Sequence, residues 1–242
     1  MARPGQPIRV ALCCLAAIIL ISGAWQLSRA GYSVDEEFTV FAVRGIQAEG
    51  LPLLPSGLLY DRGLAYSYAS WIAGGLSSTE LPSFRALSLF SALASLVLTF
   101  AIVRRLTTDR GALLAAMLVS ASLPFWTTAT SGRFYAPFLA VYLIGLYLMS
   151  LIHVGGLTRR IVVSLVITAA IGRWLHELEF TVAGIPILCA VFGPRIDRRK
   201  WLVTTAALLV GLAAAQATLF ALTPLSQAMA RRWCEGSSCG RC

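Results

Sequence analysis

Runs of about twenty apolar residues recur along this chain, and a segment that water will not hold constrains a fold more than any other feature. The first, Ile8 to Leu27, carries a single charge, Arg9, in twenty residues, and roughly 20 such residues cross the ~30 Å hydrocarbon core as one helix. It is too long for a typical signal peptide and has no small-residue cleavage site. Further runs follow at Phe84 to Val103, Gly111 to Thr128, Tyr135 to Val154, Ile161 to Leu175, Phe180 to Phe192 and Trp201 to Leu222. The fifth and sixth have only 15 and 13 residues, so they fit tilted spans, buried half-helices or a re-entrant pair. The sequence therefore predicts an all-α membrane protein, a polytopic helical bundle of about seven transmembrane helices. With 57% of its 242 residues hydrophobic and 13% charged, and a mean hydropathy of +0.75, the chain is not a water-soluble domain.

The net charge of +9 does not point to nucleic acid, because the basic residues sit in short clusters between apolar runs and not along one polar face. They are orientation signals. A cytoplasmic N-terminus places Arg3, Arg9, Arg104, Arg105, Arg110, Arg159, Arg160, Arg195, Arg198, Arg199 and Lys200 inside, all in short segments where the positive-inside rule applies. Of the acidic residues, Asp109 and Asp197 then lie inside, whereas Asp35, Glu36, Glu37, Glu49, Asp61, Glu80, Glu177, Glu179 and Glu235 lie outside. Carboxylate chemistry in such a chain is extracytoplasmic.

One long polar connection separates the first two spans, residues 28–82. Between Glu36 and Ala48 it spaces Phe38, Phe41, Val43 and Ile46 as an amphipathic interfacial helix requires. GLPLLPSG breaks that helix, and Leu58 to Leu76 resumes with Tyr60, Tyr66, Tyr68 and Trp71, aromatics suited to the headgroup level. Cys13, Cys14 and Cys189 fall inside apolar runs, where cysteine acts as a small packing residue. Cys234, Cys239 and Cys242 form C-x4-C-x2-C in a short tail over residues 223–242, one ligand short of a structural zinc site. The chain has no P-loop, nucleophile elbow or H-E-x-x-H pair. No cofactor is dictated, and a divalent metal is left open.

Candidate chemistry gathers at the outer boundary. Asp35-Glu36-Glu37 follow the first run within a few residues, close enough to the membrane surface for a carboxylate to serve as general base toward a hydroxyl. Equally, these acids suit a helix N-terminus capped by Ser33. Arg133 and Tyr135, in SGRFYAP, open the fourth long run, where a guanidinium either anchors the helix or holds a phosphate through a bidentate pair. Asp61 and Arg62 lie in the long connection, and His176 and Glu177 in the turn between the two short runs, with Arg173 beside them. An ionisable cluster so near the membrane is a functional candidate, although a turn between short helices is polar in any case.

Taken in order, these segments resemble the GT-C fold membrane glycosyltransferases, in particular the group around protein O-mannosyltransferases and the aminoarabinose and lipopolysaccharide-core sugar transferases. VDEEFTVFAVRGIQAEGLPLLPSG resembles the Asp-Glu motif that opens their first extracytoplasmic loop. LLYDRGLAYSYASWIAGGL and SSTELPSFRALSLFSAL resemble the approach to the second span, SGRFYAPFLAVYLIGLYL the start of the fourth, and LHELEF, more weakly, a later segment that often holds a His. The resemblance covers roughly Asp35 to Phe180 and lies in the order of motifs. It implies a transmembrane catalytic module over residues 1–222. Relatives have more spans and often a C-terminal module, so the resemblance implies the shared catalytic half of the fold, and leaves open whether this is a complete enzyme or a fragment or truncated reading frame.

The resemblance further implies Asp35 as base with Glu36 second, and a donor sugar carried on a polyprenyl phosphate in a bacterial plasma membrane. The acceptor would be the hydroxyl of a cell-envelope lipid, glycan or protein. Arg133, Tyr135, Asp61, Arg62 and His176 are the candidate substrate-binding residues. Two other classes remain open: a transporter or lipid flippase, and a non-catalytic membrane assembly subunit. Transporters place ionisable residues or broken helices near mid-bilayer, often in paired repeats, whereas these charges cluster at the boundary and no internal repeat is visible.

Overall fold

The computed structural model describes residues 5–27, 29, 31, 33–75, 80–192 and 197–236, with the side chains of 80, 81 and 229–236 left aside. The side chain of Cys234 and the whole of Cys239 and Cys242 therefore lie outside what can be described. Among the described residues ten α-helices follow one another: α1 (Gln6–Leu27), α2 (Val34–Glu49), α3 (Leu64–Gly75), α4 (Glu80–Leu106), α5 (Asp109–Ser120), α6 (Leu123–Ala129), α7 (Tyr135–Gly155), α8 (Arg159–Leu175), α9 (Gly184–Phe192) and α10 (Arg198–Gly236). A 3-10 turn, Glu177–Ala183, joins α8 to α9. Among the described residues the one β feature is an isolated bridge between Leu53 and Leu59.

Among the described residues four helices are long and apolar enough to cross a membrane, Gln6–Leu27, Pro82–Leu106, Tyr135–Gly155 and Arg198–Ala228. The expected third run is broken: α5 and α6 meet at 67°, and counting them as one gives a fifth crossing. Ser122 makes the break, capping α6 by accepting from the Phe125 N–H at 3.4 Å, with proline at the start of the new helix where its missing N–H is harmless. The fifth and sixth runs form shorter helices. α8 has 17 residues, about 25 Å, and the next run divides into the 3-10 turn and the nine residues of α9. Among the described residues the chain thus has four or five crossings by length and apolarity, the long apolar helices of an integral membrane protein. Large apolar side chains line its outside, including Ile21, Phe90, Val97, Leu118 and Phe220, all more than half exposed. Cys13 and Cys14 join them, contrary to the packing role expected, whereas Cys189 packs on the core.

Two cores hold the helices. Around α4, Leu89, Leu96 and Phe100 pack with Ile19 of α1, Ala112 and Ala116 of α5 and Phe125 of α6; Gly23 of α1 has no Cβ and so admits Leu89. Around α8, Leu165 and Ala169 pack with Met149 and Ile152 of α7, Val182 of the 3-10 turn and Leu208 and Leu212 of α10. Tyr66, Phe134 and Leu175 form a smaller cluster that joins α3, the start of α7 and the end of α8.

The long connection folds inward. α2 is amphipathic, but its buried face is Glu36, Thr39, Val40, Ala42, Val43 and Ile46. The expected face was rotated: Phe38 is 39% exposed and stacks on Tyr60 at 6.1 Å. Gly50 ends the helix in the left-handed region at φ 75°, returning its N–H to the Ile46 carbonyl. Tyr60 and Tyr66, expected at the headgroup level, are buried. The Tyr66 hydroxyl donates to the Phe84 carbonyl at 2.8 Å, with the Ser88 hydroxyl at 3.0 Å. Gly63, at φ 72°, turns the chain into α3 where a Cβ would stand 2.5 Å from the Phe134 ring.

Candidate functional site

The starts of α2, α4 and α7 meet in one buried polar layer. Ser33 and Glu36 form a reciprocal capping box on α2: the Ser33 Oγ accepts from the Glu36 N–H at 3.3 Å and Glu36 Oε2 from the Ser33 N–H at 3.0 Å. The same carboxylate takes a two-pronged ion pair from Arg85 of α4, Nε to Oε1 at 2.8 Å and Nη2 to Oε2 at 2.7 Å. A fourth donor, the Gly132 N–H, reaches Oε1 at 2.6 Å. Both side chains are 2% exposed. Burial alone would raise the Glu36 carboxyl, but the Arg85 guanidinium and the Gly132 and Ser33 N–H groups together hold it at about 2. Arg85 also donates from Nη2 to the Gly31 carbonyl at 2.6 Å, which ties in the chain between α1 and α2.

That layer fixes the segment carrying Arg133. Besides the Gly132 N–H bond, the Gly132 carbonyl accepts from Thr39 Oγ1 at 3.1 Å and the Arg133 carbonyl from Ser88 Oγ at 3.1 Å. The Arg133 side chain, 7% exposed, donates from Nη1 to the main-chain oxygen of Asp35 at 2.6 Å and to the Tyr60 hydroxyl at 2.8 Å. Its guanidinium lies 4.9 Å from the Phe134 ring centre and 5.6 Å from that of Tyr135. Its Nε–H is buried without an acceptor, and an orphaned buried donor calls for an explanation.

Above this layer opens a cleft of about 370 Å³, lined by Ser33, Asp35, Thr127, Thr128, Ser131, Arg133 and Tyr135. Asp35 is exposed. The neighbouring acids of α2 have therefore parted: Glu36 points inward and is engaged by four donors, which leaves it no part in accepting a substrate proton, while Asp35 faces the cleft. His176 stands close by. Its ring packs against Phe134, Tyr135 and Phe138 at centre distances of 5.4, 6.2 and 5.1 Å, and its Nδ1 accepts from the Leu178 N–H at 3.0 Å. Burial lowers the His176 pKa, opposed by Glu177 and reinforced by the charges of Arg62 and Arg173. Arg62 is thus within electrostatic reach of His176, and neither is among the lining residues. Asp61 is exposed on the connection before α3 and is not among the lining residues.

Arg85, Thr127, Thr128 and Ser131 were not singled out in the sequence, and Tyr60 was read there only as an aromatic of the headgroup level. An arginine one residue into an apolar run is itself a signal that Arg85 has a partner. The three hydroxyl residues stand in TTATSGR at the end of what looks like one continuous span. Among the described residues no group of three or more His, Cys, Asp or Glu side chains converges on a metal position.

Fold and cleft define an all-helical chain of membrane type with one acid-and-arginine cleft at the end where α4 and α7 begin. Comparison with family models, with curated proteins and with solved structures finds no match to this chain.

Proposed function

We propose that this protein is a membrane glycosyltransferase that moves a sugar from a polyprenyl-phosphate donor to an extracytoplasmic acceptor hydroxyl. One observation carries the reading: Asp35 and Arg133 line the same cleft, and the buried Arg133 keeps an Nε–H that no protein group accepts. Asp35 takes the acceptor's proton as the acceptor oxygen bonds the anomeric carbon. The bond from that carbon to the phosphate oxygen breaks, and the lipid phosphate leaves with the electron pair, its charge met by Arg133. Single displacement of this kind inverts the sugar centre. Glu36 and Arg85 are positioning residues, holding α2 and the Arg133 segment in register. The helix directions support an extracytoplasmic cleft: α4 and α7 begin at this layer and end in the Arg104-Arg105 and Arg159-Arg160 connections, the clusters expected inside.

Asp35→Asn keeps the size of the side chain and removes the proton acceptor. Transfer from labelled polyprenyl-phosphate sugars in membranes should fall about 10²- to 10⁴-fold at unchanged protein level. Arg133→Lys, which keeps the charge and loses the planar fork, should weaken donor binding less than Arg133→Ala. Near-normal transfer by Asp35→Asn removes the assignment of the base. A transporter draws on one observation, the buried unpartnered carboxyl of Glu179, and proton-coupled uptake abolished by Glu179→Gln would favour it.

A further inference from the structure

The hydroxyls in the cleft differ from free hydroxyls in one respect. Each Ser or Thr side chain has one proton to donate and two lone pairs. Thr127 Oγ1 donates to the Pro124 carbonyl at 3.1 Å, Thr128 Oγ1 to the same carbonyl at 2.9 Å, and Ser131 Oγ to the Thr128 carbonyl at 3.3 Å. With their protons committed to the main chain, these three side chains offer lone pairs alone. Asp35, which lines the same cleft, accepts as a carboxylate, and the cleft also holds Arg133, which only donates. The lining therefore combines an accepting wall at the end of α6 with a donor just before α7.

The 67° bend between α5 and α6 precedes the short helix that carries Thr127 and Thr128 into the cleft that Asp35 also lines. A ligand that satisfies both the accepting wall and the donor carries several O–H donors and an anion, which is the chemistry of a sugar joined to a phosphate.

We propose that Thr127, Thr128 and Ser131 are specificity-determining residues that read the hydroxyls of the donor sugar as hydrogen-bond donors. This deepens the glycosyltransferase reading and rests on it. Back-bonding of Ser and Thr to a helix carbonyl is common where it serves only the helix, so the test must separate recognition from support.

The full chain in lipid nanodiscs is titrated with two kinds of probe: polyprenyl phosphate without sugar, and a panel of polyprenyl-phosphate hexoses and pentoses. The wild type should bind at least one sugar-bearing lipid more tightly than the bare lipid phosphate. Thr127→Val and Thr128→Val should each reduce that advantage roughly two- to tenfold, the size of one net hydrogen bond, and Ser131→Ala likewise. Thr128→Ser, which restores the hydroxyl, should recover it, and bare lipid phosphate should bind all variants equally. Unchanged sugar preference in the valine variants overturns the wall and leaves the phosphate site standing. Equal loss of both probes also counts against it, since the hydroxyls would then be props of the phosphate site. A wild type that binds the bare lipid but prefers no sugar overturns the wall alone, and one that binds no lipid phosphate overturns the glycosyltransferase reading as well.

Discussion

Among the described residues two carboxylates are buried, one in each half, and they are treated in opposite ways. Glu36, between α2 and α4, receives four donors and an opposite charge. Glu179, in the 3-10 turn against α8, is fully buried with both oxygens unpartnered. Its room comes from Gly172, where a Cβ would overlap the carboxyl. Burial pushes the Glu179 carboxyl up to about 8, and near neutral pH it is mostly the protonated acid. The half that holds the cleft is organised by a charge made permanent, whereas the other half packs apolar surface around a carboxyl that keeps its proton.

Removing Arg85 should have the largest effect. Arg85→Ala leaves a buried anion with main-chain donors only, and breaking such a pair costs about 3–5 kcal/mol. Unfolding in mixed micelles measures it, and a loss below about 1 kcal/mol would show that the ion pair does not organise the cleft half.

The next effect is in the pH dependence, where the two acids have opposite signs. Glu36, held at about 2 against an ordinary 4.5, contributes stability that is fully present above about pH 4.5 and lost as the pH falls toward 2. For Glu179, below about pH 4.5 folded and unfolded chains both hold the proton; between 4.5 and about 8 only the folded chain does. Stability should therefore fall by up to about 1.4 kcal/mol per pH unit across that window and level off above it. In Glu179→Gln the decline between pH 5 and 8 should flatten while the acid limb remains. A decline of the same slope in both proteins would place its origin elsewhere.

The smallest effect sharpens the local end of the comparison. Ser33→Ala removes one arm of the capping box and should cost about 0.5–2 kcal/mol, less than Arg85→Ala, because the Glu36 carboxylate keeps Arg85 and Gly132. Equal losses would mean that the cap, not the ion pair, fixes α2.

Four of the long helices were legible because span length and apolarity are local properties. The break at Ser122 was signalled by a cap residue and a proline, but the apolar residues on either side run together and hide it. Within the cleft, Asp35, Arg133 and Tyr135 could be chosen because each stands at the boundary of a run. The partnership of Glu36 with Arg85 could not, since it joins side chains 49 positions apart and depends on how α2 folds back. Glu179 shows the same limit from the other side: in LHELEF it looks like one more polar turn residue, and only the packing of α7, α8 and α10 around it removes its water.

The bond from Arg133 to Asp35 ends on the main-chain oxygen. Had it ended on the carboxylate, the two charges would have closed into a neutral pair and the cleft would present little field. Routed through the backbone, it holds a cation and an anion at neighbouring positions without joining them, so the cleft carries a standing dipole. Such a dipole acts on a ligand before contact. An anionic group that enters the cleft is drawn toward Arg133 and turned away from Asp35, so that direction of entry and orientation are set by the same pair of charges.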